Sequence, residues 1–514
     1  MLKRKGKHIY LKVFESILEM DHYDEAALKA KFTGEKTLNN FSIAKKNLYE
    51  KLMDMLCSMP HHQDIESQFD KFRQQISILV KKSLYKQALG RVKKAIKLAE
   101  KLEAYKKVLD LHDLWREIAR NFLPPEDFLS LLKDLRQKET WIGEVDQNLV
   151  QYKDLFDRAS IAQKIPRNIR GAMISGILGH RLMQDESECL SVSSRLYFYR
   201  IWNHLYFVQG KDSGWKFFTE KIIALLNEHQ HLLSDPGKFL VYVNTITDYA
   251  FNCIASKEFA QALEAAEKLM NLRKNLRAGD NEALIFSRYW KVQLLYCQTT
   301  MDEKNGLEAL EKIDEGLRRF RGKISKSDAM ELTHIAATFL LILDRSSEAI
   351  HWILQLREDR MSTSRPDLHH FSWLLFLIAH FNLGHMDVVE QQVPGTIQYL
   401  RSHGGLSPFN KRVTAFFRKA VLAKDRKDLH NRMQKLRDDL MKIFADAQDL
   451  SLLGYFDIIA WIDARLASVP LYVHLRTAKP VELSMLPGAA KKAAEAAAQE
   501  NDPTGDVTGA EFLL

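Results

Sequence analysis

The sequence predicts an all-α fold in which antiparallel helical hairpins stack as an α-solenoid behind a small N-terminal helical block. Three observations predict it. The 514 residues include only 22 Gly and 12 Pro, well below the roughly 12% that average usage supplies, while Leu, Ala, Lys and Glu abound. Apolar residues recur at spacings of three, four and seven, which draws one narrow stripe along each helix. A small residue returns inside those stripes at Ala262, Ala309 and Ala349, and Val389 takes the next place, at intervals of 47, 40 and 40 residues. Small side chains let two helix axes approach closely, and a hairpin cannot bury both of its faces alone, so neighbours must stack. No segment shows sustained two-residue alternation bounded by turn signals, so no strand is expected.

Composition narrows the function classes. The formal net charge of +9, with 75 basic against 66 acidic residues, is a modest pull towards anionic partners. Cys57, Cys189, Cys253 and Cys297 are far apart and lack paired spacing, so reduced thiols are expected, with no metal knuckle or redox motif. Residues 1–7 are basic, but from His8 onward apolar and charged residues interleave, where an export signal needs an unbroken apolar run. The longest apolar runs, 335–343 and 373–379, fall short of the roughly 18 residues that span a bilayer. A cytoplasmic chain without membrane insertion is the expectation.

Residues 1–60 form the N-terminal block, with helices over 10–20, 23–32 and 40–59 and a turn around Gly34. Asn39 or Asn40 can cap the last helix, whose stripe is Phe41, Ala44, Leu48, Leu52 and Leu56. As a helix-turn-helix it would offer Ser42, Lys45, Lys46 and Tyr49 to nucleic acid. The same residues fit solvated positions on an ordinary helix. Residues 61–165 read as a hairpin between Pro60 and Pro124, then a long connecting helix, or two in line, over 127–164 that ends before Pro166.

In that hairpin, residues 83–101 place Tyr85, Ala88, Val92 and Ala95 at aromatic, small, bulky and small positions. This pattern resembles the second helix of a tetratricopeptide repeat, and its offsets return at Phe259 and Ala262. The first third is also similar to the leading segment of bacterial proteins of this repeat type, a likeness that implies no activity. That family repeats about every 34 residues, so the wider spacing here implies longer helices or looser turns. Val389 stands where a small residue is expected, and Pro394 with Gly395 is expected to interrupt its helix.

Residues 166–470 are the solenoid. A divergent hairpin around Gly210 and Asp212 carries Trp202, Tyr206, Trp215, Phe217 and Phe218. Three hairpins over 238–360 follow, with second-helix stripes of Phe259, Ala262, Ala266 and Leu269, then Ala309, Ile313, Gly316 and Phe320, then Ala349, Ile353 and Leu356. The densest positive stretch is 411–437, with Arg418, Lys419, Arg426, Lys427, Arg432 and Arg437. Residues 471–514 read as a flexible tail, because 488–509 is Ala-, Lys- and Glu-rich without an aromatic residue.

Chemistry is hard to find in this pattern. Gly171, Gly176 and Gly179 lack the Lys-Ser/Thr pair of a phosphate loop. The pairs His61–His62, His229–His231 and His369–His370 lack the four-residue spacing of a metal-binding helix. No catalytic, cofactor-binding or metal-binding residue is assigned, and no enzyme is expected. Recognition remains, since the first helices of stacked hairpins line a concave face. Asn244 and Asp248, Arg288 and Lys291, and Glu331, His334 and Thr338 are the polar residues placed there. The expected role is a scaffold or adaptor that holds a protein or peptide. The alternative is a regulatory protein that touches nucleic acid through the N-terminal block and the basic 411–437 surface.

Overall fold

The computed structural model describes residues 12–17, 20, 24–32, 41–58, 65–162, 165, 167–209, 212–275, 281–358, 364–444 and 455–477. Among them every regular element is helical. The chain divides into two compact units, residues 1–150 with 230–236, and residues 151–229 with 237–514.

The first unit opens with α1 (residues 12–17), α2 (Glu25–Lys31) and α3 (Phe41–Ser58). Asp24 caps α2 by accepting from the Ala26 and Ala27 amides at 2.8 and 3.1 Å. Val13, Leu28, Phe41 and Leu48 form the small core of this block. Asn39 and Asn40 lie outside the described residues. Next come α4 (Ile65–Lys81), α5 (Tyr85–Lys101), α6 (Tyr105–Arg120) and the start of α7 (Pro125–Ile161). The α5 stripe Ala88, Val92, Ala95 and Ala99 is fully buried, and α5 packs on both α4 and α6. α7 is one unbroken helix of 37 residues, the single-helix version of the long connector.

The second unit takes the rest of α7, then α8 (Arg167–Leu178), α9 (Val192–Gln209) and α10 (Asp212–Glu228). In the α9–α10 hairpin Trp202 and Phe218 stack with centroids 5.7 Å apart, and Gly214 leaves room for the Tyr206 ring. There follow α11 (Pro236–Ala255), α12 (Phe259–Asn275), α13 (Asn281–Thr300), α14 (Glu303–Arg319), α15 (Lys326–Ile342), α16 (Ser346–Glu358), α17 (Pro366–Asn382), α18 (Met386–Ser402), α19 (Pro408–Ala420) and α20 (Arg426–Phe444). The described chain ends with α21 (Ile458–Leu466) and α22 (Leu471–Thr477). Besides their immediate neighbours, α13 packs on α15, α15 on α17 and α17 on α19. One continuous core runs from Leu294 to Leu471. The small residues Ala262, Ala309 and Ala349 are all buried, and a Cβ at Gly316 would overlap the Phe286 ring.

The turns repeat as closely as the helices. Lys257, Met301, Asp344 and Gly384 stand at φ 62°, 55°, 62° and 76°. After each, the next amide donates to the carbonyl five residues back: Glu258 to Cys253, Asp302 to Cys297, Arg345 to Leu340 and His385 to His380, at 2.7 to 3.0 Å. A left-handed residue followed by this bond closes a helix and frees the chain to reverse. Ser83 and Glu103 do the same in the first unit.

Two expectations need correction. α18 runs through Pro394 without interruption, because Val389, Val393, Thr396 and Leu400 keep one buried stripe on both sides of it. That burial outweighs the roughly 3 kcal/mol that an interior proline costs. The folded chain also continues past residue 470, since Pro470 precedes α22 and Leu471 is buried. Residues 478–514, with most of the expected tail, lie outside the described residues.

Candidate interaction site

α11, α13, α15 and α17 are the first helices of four consecutive hairpins, and the last three carry one charged network. Lys291 on α13 is buried to 1% exposure and donates to Asp328 on α15 at 2.6 Å, and also to Glu331. Arg288, one turn earlier on α13, meets the same Asp328 oxygen at 2.5 Å. Arg365, just before α17, pairs with Glu331 and lies 2.7 Å from Asp367. Asp367 in turn accepts from the Tyr455 hydroxyl at 2.7 Å.

Local structure sets these side chains. Ser325 caps α15 by accepting from the Asp328 amide at 3.0 Å, and its hydroxyl donates to the Asp328 carboxylate at 2.7 Å. That fixes the carboxylate between Arg288 and Lys291. Burial alone would raise the Asp328 carboxyl, but Lys291 and Arg288 outweigh it and hold it below the ordinary value. Burial likewise pushes up on Asp367, yet the hydrogen bonds from Arg365 and Tyr455 bring it down to about 2. Both carboxylates are therefore ionised at neutral pH.

Asp248 behaves differently. It is exposed on α11, and among the described residues it has no ion-pair or hydrogen-bond partner. Desolvation by the protein around it nevertheless raises its carboxyl to about 6, against the pull of Arg288 and Lys291. Asn244 lies one turn earlier on the same helix, half-buried.

His334 is a different case again. Its Nε2 donates to the Tyr455 carbonyl at 2.8 Å, and burial holds the imidazole down at about 4, so the ring is neutral. Among the described residues its buried Nδ1 has no hydrogen-bond partner. Thr338 is buried and donates to the Ile335 carbonyl of its own helix at 3.0 Å.

Asp248, Arg288, Lys291 and Glu331 thus share one electrostatic neighbourhood, with His334 joined to it through Tyr455. Thr338 and His334 present no polar atom to the surface. Sequence reasoning missed Asp328, Arg365, Asp367 and Tyr455. Ser325 and Asp328 are legible as a helix-start pair, and that signal conceals the second role of Asp328 across α13.

Elsewhere, Lys45 pairs with Glu25 at 2.5 Å, while Lys46 and Tyr49 are exposed. Positive charge in 411–437 is divided between α19 and α20, with Arg437 paired to Asp463 and Arg432 to Asp428. Cys189, Cys253 and Cys297 are buried and free. Among the described residues there is no group of three or more potential metal ligands, and no single helix is long and apolar enough to cross a membrane. No protein-family model matches the chain, and no curated protein is significantly similar to it.

Proposed function

We propose that the second unit is a TPR-like α-solenoid that holds a protein or peptide segment on the row of first helices α11, α13, α15 and α17, as a non-catalytic cytoplasmic scaffold or adaptor. The observation that carries this reading is Asp248. Asp328, Glu331 and Asp367 have cationic partners, whereas Asp248 is exposed and, among the described residues, has none. A carboxylate that gains nothing for its own fold is a candidate for contact with another molecule. The repeated left-handed turns and the packing of alternate helices support the stacked-hairpin arrangement.

Dimensions favour an extended occupant. Packed helix axes lie about 8–10 Å apart, so α13, α15 and α17, which pack in series, span roughly 20 Å, the length of about six extended residues. Its chemistry follows from the surplus charge: a basic side chain opposite Asp248, with flanking polar groups that reach Asn244 and the exposed edges of Glu331 and Arg365. Selection of binders from a random-peptide display library, then titration against Asp248→Lys, tests the reading. Basic peptides that lose about tenfold or more in affinity for the variant are expected, in line with losing one charged contact. Selected peptides that bind wild type and Asp248→Lys equally would overturn it.

A further inference from the structure

Two helical stripes face each other across the α19–α20 hairpin, on helices separate from the α11–α17 row. On α19, Arg412, Ala415, Phe416 and Lys419 keep the three-four-seven spacing of one helix face, and on α20 Arg432, Lys435, Leu436 and Asp439 do the same. Together they line a notch of about 100 Å³. Phe416 and Leu436 are buried and give it an apolar base. The rest of the lining carries four cations and one carboxylate.

That carboxylate does not satisfy the cations. Asp439 comes only to 3.6 Å from Arg412, and Arg432 turns to Asp428 through two N–H bonds at 2.9 and 2.8 Å. Among the described residues neither Lys419 nor Lys435 has an ion-pair partner. Exposed lysines are ordinarily solvated apart from one another. These two approach one concave spot from opposite helices, where like charges repel unless an anion enters.

Charge decides the class of ligand. The notch of about 100 Å³ admits several waters and so has room for one tetrahedral oxyanion, and its four cations against one carboxylate favour a multiply charged one. We propose that it binds a phosphate monoester dianion, either as free phosphate or as the phosphoryl group of a phosphorylated side chain on a partner. Arg412 offers a planar fork of N–H donors to its oxygens, and Lys419 and Lys435 supply compact charge. A diester brings one charge fewer to the same four cations.

The full chain is titrated calorimetrically with inorganic phosphate and with a phosphoserine heptapeptide, against chloride at matched ionic strength and the unphosphorylated heptapeptide. The comparison proteins are Lys419→Ala/Lys435→Ala and Arg418→Ala, the latter an exposed residue of α19 outside the notch. Saturable binding of either phosphate form is expected, weakened about tenfold or more in the double variant and nearly unchanged in Arg418→Ala. A tighter fit for the phosphopeptide assigns the phosphoryl group to a side chain, and equal affinity assigns it to free phosphate. Should the double variant fail to fold, Lys419→Gln and Lys435→Gln singly are each expected to weaken binding severalfold. A response that follows ionic strength alone, or binding that survives removal of both lysines, would overturn the proposal. So would a short DNA duplex that binds more tightly than either monoester and is lost in the double variant, since that would make the notch part of a nucleic-acid face.

Discussion

Lys291 of α13 sets its ammonium 2.6 Å from the Asp328 carboxylate of α15, with 1% of the lysine side chain exposed. Buried charge of this kind is costly to bring out of water and costlier to leave unpaired. Lys291→Ala strands Asp328 and Glu331 against Arg288 and Arg365 alone, and is expected to cost about 3–5 kcal/mol. Urea denaturation measures it. A loss below about 1 kcal/mol, the range of an exposed pair, would show that water screens the network.

Asp248 should give the opposite sign. Its folded-state value of about 6 lies above the ordinary 3.8, so between those pH values the folded chain keeps a proton that the unfolded chain has released. Stability from this group is present below pH 3.8 and is lost as pH rises through about 6. Asp248→Asn is therefore expected to raise the thermal midpoint at neutral pH and to leave it unchanged below pH 3.8. Scanning calorimetry at both pH values checks this, and equal midpoints at neutral pH would remove desolvation as the cause.

The hairpin turns make a third case. Lys257 holds a φ of 62° with an exposed side chain attached, a conformation that costs an L residue roughly 1 kcal/mol or more. Lys257→Gly is expected to stabilise by about 0.5 kcal/mol despite the extra freedom of the unfolded chain, whereas Gly384→Ala, at φ 76°, is expected to destabilise by about 1 kcal/mol. Guanidinium denaturation of the two variants measures both, and two changes of the same sign would contradict the shared turn geometry.

Close helix approach predicts overpacking. Ala262 and Ala349 are fully buried, and Gly316 lies against the Phe286 ring. Ala262→Leu, Ala349→Leu and Gly316→Ala should each cost about 1–3 kcal/mol, read from denaturant midpoints. Neutral results at all three would mean that neighbouring helices yield easily there.

Helices and their buried stripes were legible because apolar spacing at three, four and seven leaves few other solutions; Ala88, Ala262 and Ala349 are where that spacing puts them, out of water. The turns were not. Ser83, Glu103, Lys257, Met301, Asp344 and Ser468 occupy a conformation normally announced by glycine, and among the described residues only Gly322, Gly384 and Gly404 carry that mark. Pro394 misled in the other direction, since its local cost is visible in sequence and the burial of Val393 and Leu400 that offsets it is not. In the charged network, Lys291 and Glu331 were legible as polar residues on first helices. Asp328 lies 37 residues from its partner Lys291, and Tyr455 lies 88 from Asp367. Pairings at such distances arise from stacking, which no local pattern records.

Hydrogen–deuterium exchange of the full chain, with and without a display-selected peptide, tests the proposed interaction face most directly. The expected result is added protection in α11 around Asn244 and Asp248, extending to α13 and α15, and absent from the same experiment on Asp248→Lys. Protection confined to residues 41–58 or to α19 and α20, with α11 unchanged, would contradict it.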